Sequence, residues 1–212
     1  DDGVWSDYVY QVLVIEEQEE NYDDFVGGYW AFDGGNGNIA YDSSGNGNDG
    51  TLVNGPQWVS GVNGTALDFD GVDDYVEIED SVSLDLGPEL TFSAWIRLDS
   101  VPDNDEAYVI FSKWETLDNQ RSYMFFIRNT NGVLSLRGSV SNGEGANHGG
   151  TCYYDAVYPF QTSVFYHVAA MYDSGGGDSK RWHLFVNGIE IDNTVQSENS
   201  IIPKDSIFYI NN

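Results

Sequence analysis

Tyr123-Met124-Phe125-Phe126-Ile127-Arg128-Asn129-Thr130-Asn131-Gly132-Val133-Leu134-Ser135-Leu136-Arg137-Gly138 consists of two short apolar runs separated by Asn131-Gly132. An Asn-Gly pair supplies the two positive-φ residues of a type I′ turn, whose twist matches that of the strands it joins, so the stretch predicts a β-hairpin. The signature recurs at Asn187-Gly188, between the runs 182–186 and 189–191. Further strand candidates are 29–32, 66–69, 75–78, 90–97, 108–113, 166–172 and 207–210, each short, apolar or aromatic and bounded by turn residues. No apolar-periodic stretch is long enough for a substantial helix. The chain therefore reads as all-β, two antiparallel sheets packed face to face. The Gly-rich stretch 139–159 reads as one long loop, of the kind that carries function.

One more strand candidate lies near the start. Seven of the eight residues Tyr8-Val9-Tyr10-Gln11-Val12-Leu13-Val14-Ile15 are apolar or aromatic. Such a strand needs cover on both faces. Alternation assigns Tyr10, Val12 and Val14 to a sandwich core, and Val9, Leu13 and Ile15 to a second covering surface. The following Glu16-Glu17-Gln18-Glu19-Glu20-Asn21, with Asp23 and Asp24, cannot bury itself and reads as a solvated tether. The organisation predicted is an N-terminal strand and acidic linker over 1–26 and one domain over 27–212. A chain of 212 residues buries roughly 70% of its unfolded surface, which suits a single sandwich.

Thirty-five acidic residues against eight basic ones give a net charge of −27. That charge repels phosphate backbones and anionic lipid heads, which argues against nucleic acid and membrane insertion. No stretch approaches 18 consecutive apolar residues, and Asp1-Asp2-Gly3 lacks signal-peptide character, so a secreted chain whose targeting segment has been removed is expected. The acids read either as a solubility coat or as a surface for cation binding or assembly. The single cysteine, Cys152, excludes an internal disulfide and a multi-cysteine metal site, and reads as a small buried hydrophobe.

Several motifs now occur in a familiar order. They are Gly28-Tyr29-Trp30-Ala31-Phe32-Asp33, Asp42-Ser43-Ser44-Gly45-Asn46-Gly47-Asn48-Asp49-Gly50-Thr51-Leu52 and Ala66-Leu67-Asp68-Phe69-Asp70-Gly71-Val72-Asp73-Asp74-Tyr75-Val76-Glu77-Ile78. Thr91-Phe92-Ser93-Ala94-Trp95-Ile96, Ile110-Phe111-Ser112-Lys113-Trp114, Tyr166-His167-Val168-Ala169-Ala170-Met171-Tyr172-Asp173 and Leu184-Phe185-Val186-Asn187-Gly188 follow. Over about 27–212 the chain resembles the laminin-G-like, concanavalin-A-like jelly-roll domains. The resemblance implies a two-sheet antiparallel jelly-roll sandwich, extracellular or at the cell surface. Lectins, adhesins, enzymes and structural proteins share this fold, so function must be argued from sites.

The loop from Asp42 to Asn48 has glycines that allow a tight fold, and carboxylate, amide and carbonyl oxygens that can converge on one Ca2+ with its 6–8 oxygen ligands. In similar domains the matching loop holds calcium, which implies ligand roles for Asp42, Asn48, Asn46 and Asp33. The alternative is an Asx-turn loop of the same composition without metal.

Catalytic patterns are incomplete. Glu190-Ile191-Asp192 resembles the start of the Glu-x-Asp-x-Glu signature of laminarinase-type glycosidases, in which paired carboxylates act as nucleophile and acid. Thr194 and Val195 stand where the third acid should fall. His148, His167 and His183 are scattered, without a nucleophile elbow or metal-ligand spacing. Tyr153, Tyr154 and Tyr158 could stack on sugar rings, but aromatics on a sandwich more often serve core or rim packing. Asn63-Gly64-Thr65 is a formal glycosylation sequon.

Related domains continue past the segment matching 207–210 into a last strand that pairs with the first, whereas this chain ends at Asn212. Residues 5–15 resemble that last strand placed at the N-terminus, with the family's acidic positions falling at Tyr10 and Gln11. The strand can fold back in cis, since 16–27 can span the sheet at about 3.3 Å per residue. It can be the tail of a preceding repeat, or it can complete a neighbouring subunit as a donor strand. The expectation is a non-catalytic, calcium-binding module for a glycan or surface protein; the alternative is the subunit of a homopolymer joined by N-terminal strands.

Overall fold

The computed structural model describes residues 8–15, 26–87, 89–114, 121–141, 151–173, 182–192 and 208–210. Among these, sixteen strands form two antiparallel sheets. The first sheet runs β15 (Ile189–Asp192), β14 (Trp182–Val186), β13 (Phe165–Asp173), β8 (Glu89–Leu98), β1 (Tyr8–Ile15), β6 (Thr65–Phe69), β5 (Gln57–Ser60), with β2 (Gly28–Trp30) also paired to β1. The second runs β12 (Thr151–Val157), β11 (Val133–Ser141), β10 (Arg121–Thr130), β9 (Ala107–Trp114), β16 (Phe208–Ile210), β7 (Tyr75–Ile78), β4 (Gly50–Val53), β3 (Ile39–Ala40). A 3-10 turn, Val82–Leu84, joins β7 to β8.

Strict alternation fills the space between the sheets. On β8, Leu90, Phe92, Ala94, Ile96 and Leu98 are buried, and β13 adds Tyr166, Val168, Ala170 and Tyr172. Rings bridge the layers: Trp30 stacks on Phe208 with centroids 5.3 Å apart, and Phe92 meets Phe111 at 4.5 Å. Such aromatic pairs add to the burial of their large apolar areas. The sheets approach closely where Gly138 on β11 faces the Trp182 indole, because a Cβ at Gly138 would collide with that ring. Gly138→Ala is expected to overpack the core and cost about 1–3 kcal/mol, read as a lower denaturation midpoint with unchanged m-value.

Both Asn-Gly turns form the expected hairpins. Asn131 and Gly132 have φ of 55° and 81°, Asn187 and Gly188 52° and 76°, the left-handed pairs that type I′ turns need. The stretch 139–159 corrects the sequence reading. β11 continues to Ser141, and β12 pairs with it from Ser135↔Val157 to Ser141↔Thr151. Glycine content masked a strand run at Thr151-Cys152-Tyr153-Tyr154. The short β3, β4 and β5 carried too few apolar residues to stand out.

β1 occupies the middle of its sheet. It pairs along its whole length with β8, from Tyr8↔Leu98 to Ile15↔Thr91, and on its other side with β6 (Tyr8↔Phe69) and β2 (Leu13↔Tyr29). The register aligns Tyr10, Val12 and Val14 with Ile96, Ala94 and Phe92, which line the core, and Val9, Leu13 and Ile15 with Arg97, Ser93 and Thr91. The acidic tether 16–25 lies outside the described residues.

Candidate functional site

The β6–β7 connection, Asp70-Gly71-Val72-Asp73-Asp74, folds around its own acids. Gly71 takes φ 69°. Asp70 Oδ1 accepts the Val72 N–H at 2.9 Å and the Asp73 N–H at 3.3 Å, while the Asp70 N–H donates to Asp74 Oδ2 at 3.1 Å. Asn54 Nδ2 clamps the Asp73 carbonyl at 2.7 Å. One carboxylate oxygen from each of Asp70, Asp73 and Asp74 consequently lies within 4.8 Å of the others. Burial pushes the Asp74 carboxyl upward; the Asp70 N–H pulls it back, and the charges of Asp70 and Asp73 push it further up. A proton or a hard cation relieves such a cluster.

Asp73 and Asp74 of this cluster line a cleft of about 370 Å³ between the starts of β7 and β9, beyond the last described β16 pairing at Ile210. Asn54, Asp73, Asp74, Glu106 and the rings of Tyr75 and Tyr108 form its walls. Tyr108 is held by its hydroxyl, which lies 3.0 Å from Ser100 Oγ and donates to the Val101 carbonyl at 3.0 Å. Tyr75 is braced edge-on by Tyr209 at 5.6 Å. Carboxylates, an amide and two tyrosines around this open volume present hydrogen-bonding groups beside aromatic side chains. The sequence reading passed over this site. Its signal was the run Asp70-Gly71-Val72-Asp73-Asp74, quoted as a fold motif and not weighed as a ligand set.

The structure brings Asp42, Asn46 and Asn48 together; the Asp42 carboxylate and the amide nitrogens of Asn46 and Asn48 are bonded to the chain. Asp42 Oδ1 accepts the N–H groups of Tyr29 at 2.9 Å and Ser44 at 2.8 Å; Oδ2 accepts the Ser44 hydroxyl at 2.7 Å and the Asn48 N–H at 3.0 Å. Four bonds fill the lone-pair sites of a carboxylate. Asn46 Nδ2 donates to the Val26 and Gly27 carbonyls, and buried Asn48 donates to the Gly27 carbonyl at 2.7 Å and Ser83 Oγ at 2.8 Å. Asp33 lies apart from this loop, against Gly64. The Asp42 carboxylate thus orders the loop through chain donors, and Asn46 and Asn48 tie it to the Val26-Gly27 carbonyls. Partial burial pushes the Asp42 carboxyl up, but the bonds from Tyr29, Ser44 and Asn48 outweigh it and leave it below the usual carboxylate range.

The remaining candidates disperse. Glu190 Oε1 pairs with His183 Nδ1 at 2.8 Å on the β14–β15 hairpin. His167 packs edge-on against Trp95 at 5.3 Å, and burial lowers its pKa. Tyr158 packs on Phe160 and Tyr166, which is rim packing. Tyr153 is 53% exposed beneath the Arg137 guanidinium at 4.3 Å. Cys152 stands opposite Val140 in the β11–β12 register. His148, Thr194 and Val195 lie outside the described residues.

A family model described as the Concanavalin A-like lectin/glucanases superfamily matches residues 70–212. No curated protein sequence matches the chain. Among solved structures, the fold is similar to domain 4 of AbnA, a GH43 extracellular arabinanase from Geobacillus stearothermophilus, in complex with arabinotriose. The TM-score is 0.53 at 16% identity, over 80% of this chain and 76% of that one.

Proposed function

Since the chain belongs to the concanavalin A-like lectin/glucanases superfamily, we propose that it is a non-catalytic glycan-binding module, exposed outside the cell, whose ligand lies in the β7–β9 cleft. The observation that carries this reading is the cleft itself, with Tyr75 and Tyr108 fixed beside Asp73, Asp74, Glu106 and Asn54. The AbnA domain, in complex with arabinotriose, lends the reading support by analogy of fold. A net charge of −27 favours neutral sugars over uronic or sulfated ones. Calcium belongs to the same reading: Asp70, Asp73 and Asp74 would hold it, and it would offset their mutual repulsion and coordinate sugar hydroxyls. Glu190 is committed to His183 on an open hairpin, and no turnover of a bound glycan is expected.

A neutral-glycan array, run with calcium and with chelator, tests the proposal. Binding should fall about tenfold or more in Tyr108→Ala, as expected for loss of a buried aromatic contact. Chelator should lower both binding and the melting temperature, and Asp74→Asn should abolish that response. Binding unaffected by either change would refute the site.

A second reading is favoured by the central place of β1. A strand paired on both sides at the end of a long acidic tether can be supplied by a neighbouring copy as well as by its own chain, which would turn the module into a filament subunit.

A further inference from the structure

The Lys113 side chain, on β9, has no exposure to solvent. Its Nζ meets two carboxylates, Asp80 Oδ1 at 2.8 Å and Asp85 Oδ1, the less exposed of the two. The two aspartates bracket the 3-10 turn Val82–Leu84 and cap the amine from solvent, with side chains 37% and 24% exposed. Beneath them, Leu84 and Leu86 are buried, and Tyr123, register partner of Lys113, donates its hydroxyl to the Leu84 carbonyl at 2.9 Å. The turn is thus pinned over the amine. An enclosed ammonium held against carboxylates suffers desolvation at every charged end, and Coulomb attraction repays that only in part. An amide in the same place carries no charge, and the water it releases leaves a dry site.

We propose that Lys113 and Asp85 join in an intramolecular isopeptide bond, with Asp80 carrying the proton. One Nζ proton passes to the Asp85 carboxylate, leaving a neutral amine and a carboxylic acid. The nitrogen lone pair attacks Asp85 Cγ and forms the C–N bond. Asp80 takes a second Nζ proton and delivers it to the departing hydroxyl, so the C–O bond breaks and one water leaves. The ammonium and carboxylate charges cancel, Asp80 ends as it began, and no oxidation state changes. Permanent contact replaces diffusional encounter, which is how buried groups of modest reactivity come to react. The link would tie the β7–β8 connection to β9 across 28 residues, a staple in a chain whose single cysteine allows no internal disulfide.

Intact-mass measurement of the denatured full chain tests this. The expected mass is one water below the sequence value, and fragment spectra of a digest should join residue 113 to residue 85. A chain at its full sequence mass after days folded at neutral pH overturns the proposal, as does a water loss that persists in Lys113→Arg, because dehydration then lies elsewhere. A fragment joining 113 to 80 overturns the assignment of Asp85. Asp80→Asn, checked by its melt to be folded, should keep the full mass; a complete link there removes Asp80 from the chemistry. Should either variant fail to fold, the wild-type mass and fragment map decide alone.

Discussion

Deleting residues 1–16 is expected to abolish the cooperative melt of the domain, and a synthetic peptide of residues 8–16 is expected to restore it. β1 is not an edge strand: its removal unpairs β8 along its whole length and β6 and β2 on the other side. Each apolar side chain that such a strand buries contributes roughly 1.5–3 kcal/mol, so a few of them weigh heavily against the whole stability of an ordinary domain, about 5–15 kcal/mol. A truncated chain that melts within a few degrees of the intact one would show that β1 contributes little. The register also gives the means to separate the two assembly readings. Cysteines at Leu13 and Tyr29, directly opposed in the β1–β2 pair, should close within one chain if the strand serves its own domain and yield a ladder of multimers if it serves the next. Closure only within single chains at every concentration would leave no filament.

The second large effect is expected at Asp42, whose carboxylate gathers the Tyr29, Ser44 and Asn48 donors. Removing a charged acceptor strands its donors; with Asp42 only partly buried, solvent offsets some of the loss, and Asp42→Ala is expected to cost about 2–3 kcal/mol. The folded pKa is depressed, so the group contributes stability above its unfolded value near 4, and that contribution is lost as pH falls through the folded pKa. Wild-type stability should therefore drop in acid below about pH 4, and Asp42→Asn should flatten that limb. The loss in Asp42→Ala should be the same with calcium and with chelator, because the carboxylate serves the backbone. A loss seen only in calcium would restore the loop as a metal site.

Much of the fold was legible because its signals are local. The Asn131-Gly132 and Asn187-Gly188 turns need no tertiary context, and the alternation on β8 and β13 needs only a core on one side. The apolar run of residues 8–15 marked a strand, and the structure places that strand centrally in its sheet, paired along both edges. What escaped was set by partners. β12 owes its strand to β11, and a glycine-rich approach concealed it. The backbone bonding of the Asp42 loop was equally hidden: three of the four bonds to the Asp42 carboxylate come from backbone donors, which no side-chain pattern records. The cleft likewise depends on Tyr75 and Tyr108, 33 positions apart by number, being set near each other by strands of one sheet.

The central claim, that the β7–β9 cleft holds a neutral glycan, is most directly tested by titrating the calcium-loaded protein with arabinotriose and then with a panel of neutral oligosaccharides while following backbone amide shifts. The account predicts saturable shifts confined to Val72, Asp73, Tyr75, Ala107 and Tyr108 for at least one sugar, lost in Tyr108→Ala. Shifts centred instead on the exposed Tyr153 and Arg137 face, or none with any sugar of the panel, would contradict it.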